Sequence, residues 1–243
     1  MKVVISKKTH NRHLYKGEGD FHTKEGIIFE PQFEGNPSSV LNNKEREHII
    51  FDAQNMDKLA KIKRGPQIIT PKDLGYIISR TFTGKNSKIV EAGGGSGAAT
   101  LFFANIAKVV HTYEIREDHT EIIQKNLDMF NIDNVTLQTG DLSEHIEDEK
   151  DIDLLFLDMP EPVPVLEKDI AGLSSGKFIC CYLPSISQIQ ELTDFVKENS
   201  HKYYLEEICE TQLREWKVWD RVARPMHRKD NDFTAFLVFL RKL

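Results

Sequence analysis

The sequence predicts an α/β protein: a doubly wound, mostly parallel sheet that ends in an antiparallel hairpin and is preceded by a small β-rich domain. Three observations carry this. From Lys88 onward, short apolar runs alternate with stretches of helical periodicity, the pattern of repeated β-α-β units. A glycine-rich turn, Glu91-Ala-Gly-Gly-Gly-Ser-Gly97, lies between the first of those runs and the first helical stretch that follows. The last two strand-like segments, Tyr203–Val218 and Phe233–Arg241, follow each other with no helix between them.

Taken in order, residues 1 to about 60 show short alternating runs separated by turn clusters: Tyr15-Lys-Gly-Glu-Gly-Asp, Gly26-Ile-Ile-Phe-Glu-Pro and Gly35-Asn-Pro-Ser-Ser. This predicts an all-β module over residues 1–62 and a larger domain over 63–243. Thr70-Pro71-Lys-Asp73 places an N-cap residue, a proline at the first helical position and an acid at the third. The helix it opens is expected to run to about Thr81. Strands are then predicted at 88–92, 109–114, 135–139, 153–158 and 177–183, and helices at 97–107, 117–130 and 185–199.

Composition narrows the class. The chain has 243 residues, 40% of them hydrophobic, enough for a sizeable core. No apolar window is long enough to span a membrane, and the opening Met1-Lys-Val-Val-Ile-Ser-Lys-Lys lacks the apolar region of a secretory signal. Cys180, Cys181 and Cys209 are odd in number, and two are adjacent in an apolar run. Buried thiols in a reducing cytoplasm are expected, with neither a disulfide framework nor a metal site. The net charge of −6 hides a gradient: Met1–Lys72 carries 13 Lys+Arg against 9 Asp+Glu, and the remainder 19 against 29. Gln212–Leu243 is again basic, 8 against 4. Basic patches at both ends can hold phosphates despite the overall sign.

The glycine turn is where the chemistry concentrates. Between a strand and a helix, glycines at 93, 95 and 97, with Ser96 among them, let a ligand approach the backbone. Glu114, 21 positions after Gly93 and at the end of the next apolar run, can accept hydrogen bonds from a ribose diol. Both NAD(H) and S-adenosylmethionine fit these features. Glu91 separates them: a carboxylate at the start of the turn repels a pyrophosphate and attracts a methionine ammonium. Class I methyltransferases carry an acid at this place, and the chain resembles them. Asp141-Leu142, after the third strand, can read an adenine ring. Asp158 ends the fourth strand and is followed by Met159-Pro160-Glu161-Pro162, a stiff strand end suited to pointing a side chain at a substrate.

The resemblance then becomes specific. Phe21-His-Thr, Lys63-Arg-Gly-Pro-Gln-Ile-Ile69, the glycine turn, Tyr113-Glu-Ile-Arg-Glu-Asp-His119, Leu157-Asp-Met-Pro-Glu-Pro162, Tyr182-Leu-Pro and Arg214-Glu-Trp-Lys-Val through Arg224-Pro-Met-His227 to Thr234-Ala-Phe-Leu-Val-Phe follow in order over nearly the whole chain. Together they are similar to the tRNA adenine-N1 methyltransferases that modify adenine 58 of the T-loop, in their archaeal form. The chain departs from that family at Thr70, where the family usually has Tyr, and at Val163, where it often has Trp.

The resemblance implies a Rossmann-like methyltransferase sheet. It implies S-adenosylmethionine held by Gln67, Glu91, Gly93, Gly95, Ser96, Gly97, Glu114, Ile115, Arg116, His119, Asp141, Leu142 and Asp158. Asp158 would also be the catalytic residue, bonded to the amino group of the target adenine. Arg64, Arg224 and His227 are the candidates for guiding the tRNA. A cytoplasmic homotetramer that acts on adenine 58 is the expected form; whether adenine 57 is a second target is left open by the sequence. The alternatives are a class I methyltransferase with another substrate, an RNA-binding subunit of a methyltransferase complex and, disfavoured by Glu91 and the terminal hairpin, an NAD oxidoreductase.

Overall fold

A computed structural model of the chain describes residues 1–35, 37–63, 65–219, 221–226 and 233–243. Two compact units divide at Ile62–Lys63. In the first, strands β1 (Lys2–Ser6), β2 (Arg12–Tyr15), β5 (Ser39–Leu41) and β6 (Glu47–Asp52) form an antiparallel sheet in the order β2-β1-β6-β5, beside a small hairpin of β3 (Phe21–Thr23) and β4 (Gly26–Ile28). Val4, Tyr15, Ile28, Phe33 and Ile50 make its core, with Tyr15 and Phe33 stacked at 3.9 Å. A short helix, α1 (Asn55–Leu59), follows.

The second unit opens with α2 (Pro71–Thr81). It continues through β7 (Lys88–Ala92), α3 (Ala98–Ala104), β8 (Val109–Glu114), α4 (Glu117–Phe130), β9 (Val135–Thr139), β10 (Ile152–Leu157), α5 (Val163–Leu166), β11 (Leu173–Leu183) and α6 (Ile186–Glu198). It closes with β12 (Tyr203–Cys209), β13 (Trp216–Trp219), β14 (Val222–Pro225) and β15 (Phe236–Lys242). Seven strands form one sheet in the order β12-β15-β11-β10-β7-β8-β9. Neighbours from β11 to β9 run parallel, and β15 is antiparallel to both β11 and β12.

Buried strand residues alternate between two cores, as the period-2 geometry of a strand requires. Leu154, Phe156 and Cys180 pack with Leu74 and Ile77 of α2 and Phe103 of α3. Leu155, Leu157 and Cys181 pack with Leu166 of α5 and Leu192 of α6. The adjacent cysteines therefore belong to opposite cores, and all three thiols are free.

The expected strand over Tyr203–Val218 is corrected: β12 stops at Cys209. Thr211 is drawn to Lys72 and Asp73, which takes the chain off the sheet edge. Trp216–Trp219 pairs with Val222–Pro225 in a separate hairpin. The terminal strands are antiparallel neighbours at the sheet edge, as expected, with β15 joining β11 to the outermost strand, β12. Two further elements go beyond the sequence expectation. β11 begins at Leu173, and α5 follows Pro162. Thr70 has the extended backbone of an N-cap, but its hydroxyl makes no cap bond and donates instead to the Asp73 carboxylate at 2.9 Å.

Candidate functional site

The carboxyl ends of β7, β8, β9 and β10 surround a cavity of about 660 Å3, the location where open α/β sheets bind ligands. Its floor is the loop after β7. Gly93 and Gly94 both donate to the Tyr113 carbonyl, at 3.0 and 3.3 Å, and Gly93, Gly95 and Gly97 all have positive φ. Gly93 is obligatory on a second ground, because a β-carbon there would stand 1.8 Å from the carbonyl oxygen of Asp158.

Glu114 ends β8 and locks this loop. Its Oε2 accepts from the Gly95 N–H at 2.8 Å, and its Oε1 from the Arg116 N–H at 3.0 Å. His119 Nδ1 lies 3.7 Å from Oε2. Asp141 follows β9 and is oriented by the Ser143 N–H, which donates to its Oδ1 at 2.8 Å. Asp158 follows β10; its own N–H donates to Ala92 O at 2.9 Å, stitching the β10 end to the glycine loop. Burial, with the charge of Glu114 added, pushes the Asp158 carboxyl up to about 7. The loop after it is steadied from α6, where Gln188 Nε2 donates to Pro160 O at 3.0 Å.

Of the residues expected at a cofactor, Gln67, Gly93, Gly95, Glu114, Ile115, Arg116, His119, Asp141, Leu142 and Asp158 all line the cavity. Three expected residues do not, and each has a physical reason. Glu91 is fully buried between β8 and α3. Its Oε2 accepts from Thr100 Oγ1 at 2.7 Å and Thr112 Oγ1 at 2.8 Å, while Oε1 has no hydrogen-bond partner among the described residues. Burial, reinforced by the charges of Asp158 and Glu114 and opposed by those two hydroxyls, raises it to about 7. Glu91 thus lies beneath the loop and not in the cavity wall. Ser96 is turned to the incoming segment: its hydroxyl accepts from Gly65 N–H at 3.0 Å and donates to Pro66 O at 3.3 Å. Gly97 faces Ile123 of α4.

Arg64 and His227 lie outside the described residues. Arg224 is on the β13–β14 hairpin, opposite Lys217, and is not part of the cavity wall. The guanidinium of Arg116 is paired with Asp118 at 2.8 Å. Sequence reasoning missed wall residues whose only signal was their place beside a motif: Gly94, Ala98, Ala99, Tyr113, Met159 and Pro160. Tyr76 of α2 is committed to the last strands. Its hydroxyl donates to Glu207 at 2.7 Å, and its ring packs edge-on against Phe239.

Residues 58–235 match the family described as the tRNA methyltransferase complex GCD14 subunit. The chain is 32% identical to the tRNA (adenine(58)-N(1))-methyltransferase TrmI of Thermus thermophilus, over 93% of this chain and 90% of that protein. It is 29% identical to the tRNA (adenine(57)-N(1)/adenine(58)-N(1))-methyltransferase TrmI of Methanocaldococcus jannaschii, with the same coverage. Among solved structures it resembles the tRNA (m1A58) methyltransferase TrmI of Aquifex aeolicus, with TM-score 0.84, 27% identity, and coverage of 100% of this chain and 96% of that one. A SAM-dependent O-methyltransferase of Thermotoga maritima superposes with TM-score 0.87 at 27% identity, covering 100% and 92%. Matched over residues 58–235 and by relatives that cover 93% of it, the chain belongs to the tRNA (adenine-58-N1) methyltransferase family.

Proposed function

We propose that this enzyme transfers the methyl group of S-adenosylmethionine to N1 of adenine 58 in the T-loop of tRNA. The observation that carries this reading is the position of Asp158: a carboxyl group in the wall of the cofactor-sized cavity, stitched by its backbone to the glycine loop.

The residues present fit the cofactor. A cavity of about 660 Å3 lies within the range of small-molecule sites. The backbone at Gly93 leaves no room for a side chain. Glu114 is an acceptor for a ribose diol, and Asp141 one for an adenine amino group, with Ile115 and Leu142 as apolar walls. Glu91 sits under the loop and sets its shape through Thr100 and Thr112. When bound, S-adenosylmethionine supplies an electrophilic methyl group on a sulfonium. The protein positions the reactants and excludes water from them.

Adenine N1 has its own lone pair, so no side chain needs to remove a proton to make it nucleophilic. As the base becomes cationic, an ionised Asp158 that accepts a hydrogen bond from its amino group offsets the new charge. The elevated pKa suits this role, since a developing cation beside the carboxyl favours its ionised form. N1 lies on the Watson–Crick edge, so the target base must leave its stack to reach Asp158.

We further infer that the chain works in the cytoplasm as a homotetramer. Three free thiols, two of them buried, support a reducing compartment. The family description and several relatives, named as catalytic subunits, are of proteins that work in assemblies. Large apolar side chains, including Phe82 at 94% exposure, Tyr204 and Val218, offer surface for association. Light scattering in solution measures the assembly.

The decisive experiment is nucleoside analysis of a tRNA transcript after incubation with enzyme and S-adenosylmethionine, with positions 57 and 58 resolved by mapping. Appearance of 1-methyladenosine at position 58, and its absence from a transcript with that base replaced, is the expected result. A methylated product other than 1-methyladenosine would overturn the assignment.

A further inference from the structure

Lys72 and Asp73 open α2 and take no part in the cavity wall. Asp73 is fully buried, and its carboxylate accepts five hydrogen bonds. Lys72 Nζ donates at 2.8 Å and Thr211 Oγ1 at 2.5 Å to Oδ1. Thr70 Oγ1, Thr234 Oγ1 and the Tyr182 hydroxyl donate to Oδ2 at 2.9, 2.7 and 3.2 Å. Lys72 Nζ also donates to the carbonyl and hydroxyl oxygens of Thr211, at 2.9 and 3.0 Å, and to the hydroxyl of Thr234 at 2.8 Å. Burial alone would raise the Asp73 carboxyl, but the bonds from Lys72 and the three threonines outweigh it and hold the group below its ordinary range.

Two of these partners have a topological meaning. Thr211 comes just after β12 ends, and Thr234 just before β15 begins. Leu183, at the end of β11, is paired with Phe236, and Cys209 with Leu237. Both stems therefore leave the sheet at the carboxyl end of β11, the edge on which Asp158 follows β10. Between the stems the chain carries the β13–β14 hairpin, on which Trp216, Lys217, Arg221 and Arg224 are exposed.

A buried ion pair is an inefficient stabiliser, because desolvation offsets most of its Coulomb gain. What it does provide is direction. Each hydroxyl has one place to be, and both stems of a long loop are defined by a single carboxylate and ammonium. We propose that Lys72 and Asp73 form a staple that fixes where the arm carrying the β13–β14 hairpin leaves the sheet, and that through this hairpin they position the tRNA substrate without touching the cofactor. Asp73 is thus a positioning residue. The tRNA half of this proposal rests on the methyltransferase reading above; the staple itself does not.

The test uses the full-length enzyme with Thr211→Val and Thr234→Val combined, beside the matching double Ser variant, which keeps both hydroxyls. Three quantities are measured: affinity for S-adenosylhomocysteine, steady-state methylation of tRNA, and amide hydrogen exchange in residues 212–218 and 222–226. The expected result for the Val pair is unchanged S-adenosylhomocysteine affinity, faster exchange in the arm, and a kcat/KM for tRNA lowered about 10- to 100-fold, mostly through KM. The Ser pair is expected to restore both exchange and rate. Unchanged exchange would overturn the staple. Faster exchange with unchanged kcat/KM would overturn the positioning of tRNA. Loss of S-adenosylhomocysteine affinity would make the cluster a core element instead. Should the double variant fold poorly, Thr234→Val alone carries the same readouts. If the wild-type enzyme methylated no tRNA, the parent reading would fall and take the tRNA half with it, while exchange would still decide the staple.

Discussion

The carbonyl oxygen of Asp158 fills the space that a β-carbon on Gly93 would need, 1.8 Å away. The loop proposed to receive the cofactor and the strand end that carries the proposed catalytic carboxyl are thus one packed surface, stitched again by the Asp158 N–H to Ala92 O. A change in either is felt by the other.

Gly93→Ala tests this coupling. The left-handed φ of +85° costs a side-chain-bearing residue about 1–3 kcal/mol, and the new methyl also displaces the Asp158 backbone. Thermal unfolding is expected to fall by several degrees, and calorimetry with S-adenosylhomocysteine to show weakened binding. Affinity equal to wild type would mean that the two segments move independently.

Asp158→Asn keeps the shape and removes the charge. Because the charge matters most as the base turns cationic, the benefit belongs to the transition state. The single-turnover rate is expected to fall on the order of 10²–10³, with S-adenosylhomocysteine affinity nearly unchanged. The wild-type rate should rise with pH through the neighbourhood of 7, where burial and Glu114 place the ionisation of Asp158. A pH–rate profile without that limb would remove Asp158 from the role.

Glu91→Gln probes the buried carboxyl under the loop. Its folded pKa of about 7 stands above its ordinary 4.5. Between these values the folded protein keeps a proton that the unfolded chain releases. The contribution of Glu91 to stability is therefore complete below about 4.5 and is lost as pH rises through about 7. Glutamine cannot ionise, so the variant should equal wild type near the acid end and exceed it at pH 8 by up to roughly 3 kcal/mol. Urea denaturation at the two pH values measures the difference, and parallel curves would show that Glu91 does not titrate in this window.

Glu114→Ala removes the proposed acceptor for the ribose diol and releases the Gly95 and Arg116 N–H groups. Each charge-assisted bond contributes about 1.5–3 kcal/mol, so S-adenosylhomocysteine affinity should fall by more than tenfold in calorimetry. Retained affinity would move the ribose contact to another residue.

The strands of the parallel sheet were legible in the sequence because each is a bounded apolar run, and period-2 burial needs no knowledge of the partner. Glu114 and Asp158 were legible for the same reason, since the carboxyl end of a strand is also a position in sequence. The path of the chain after Cys209 was not. Alternation through Trp216–Trp219 is compatible with the main sheet or with a hairpin, and the hydrogen bonds that Thr211 accepts from Lys72 and donates to Asp73 decide between them.

The sequence by itself determined the α/β class, the positions of strands β7 to β11 along the chain and the family, through local periodicity and the order of motifs. Only the tertiary structure decided which side of β7 takes Glu91, that Ser96 serves the incoming segment, and that β15 is inserted between β11 and β12. It also assembled the Asp73 cluster, whose partners Tyr182, Thr211 and Thr234 lie 109, 138 and 161 residues away in the chain. Hydrogen bonds across such separations leave no period and no spacing in a sequence. They exist only once burial has brought the segments together and each polar group must find a partner.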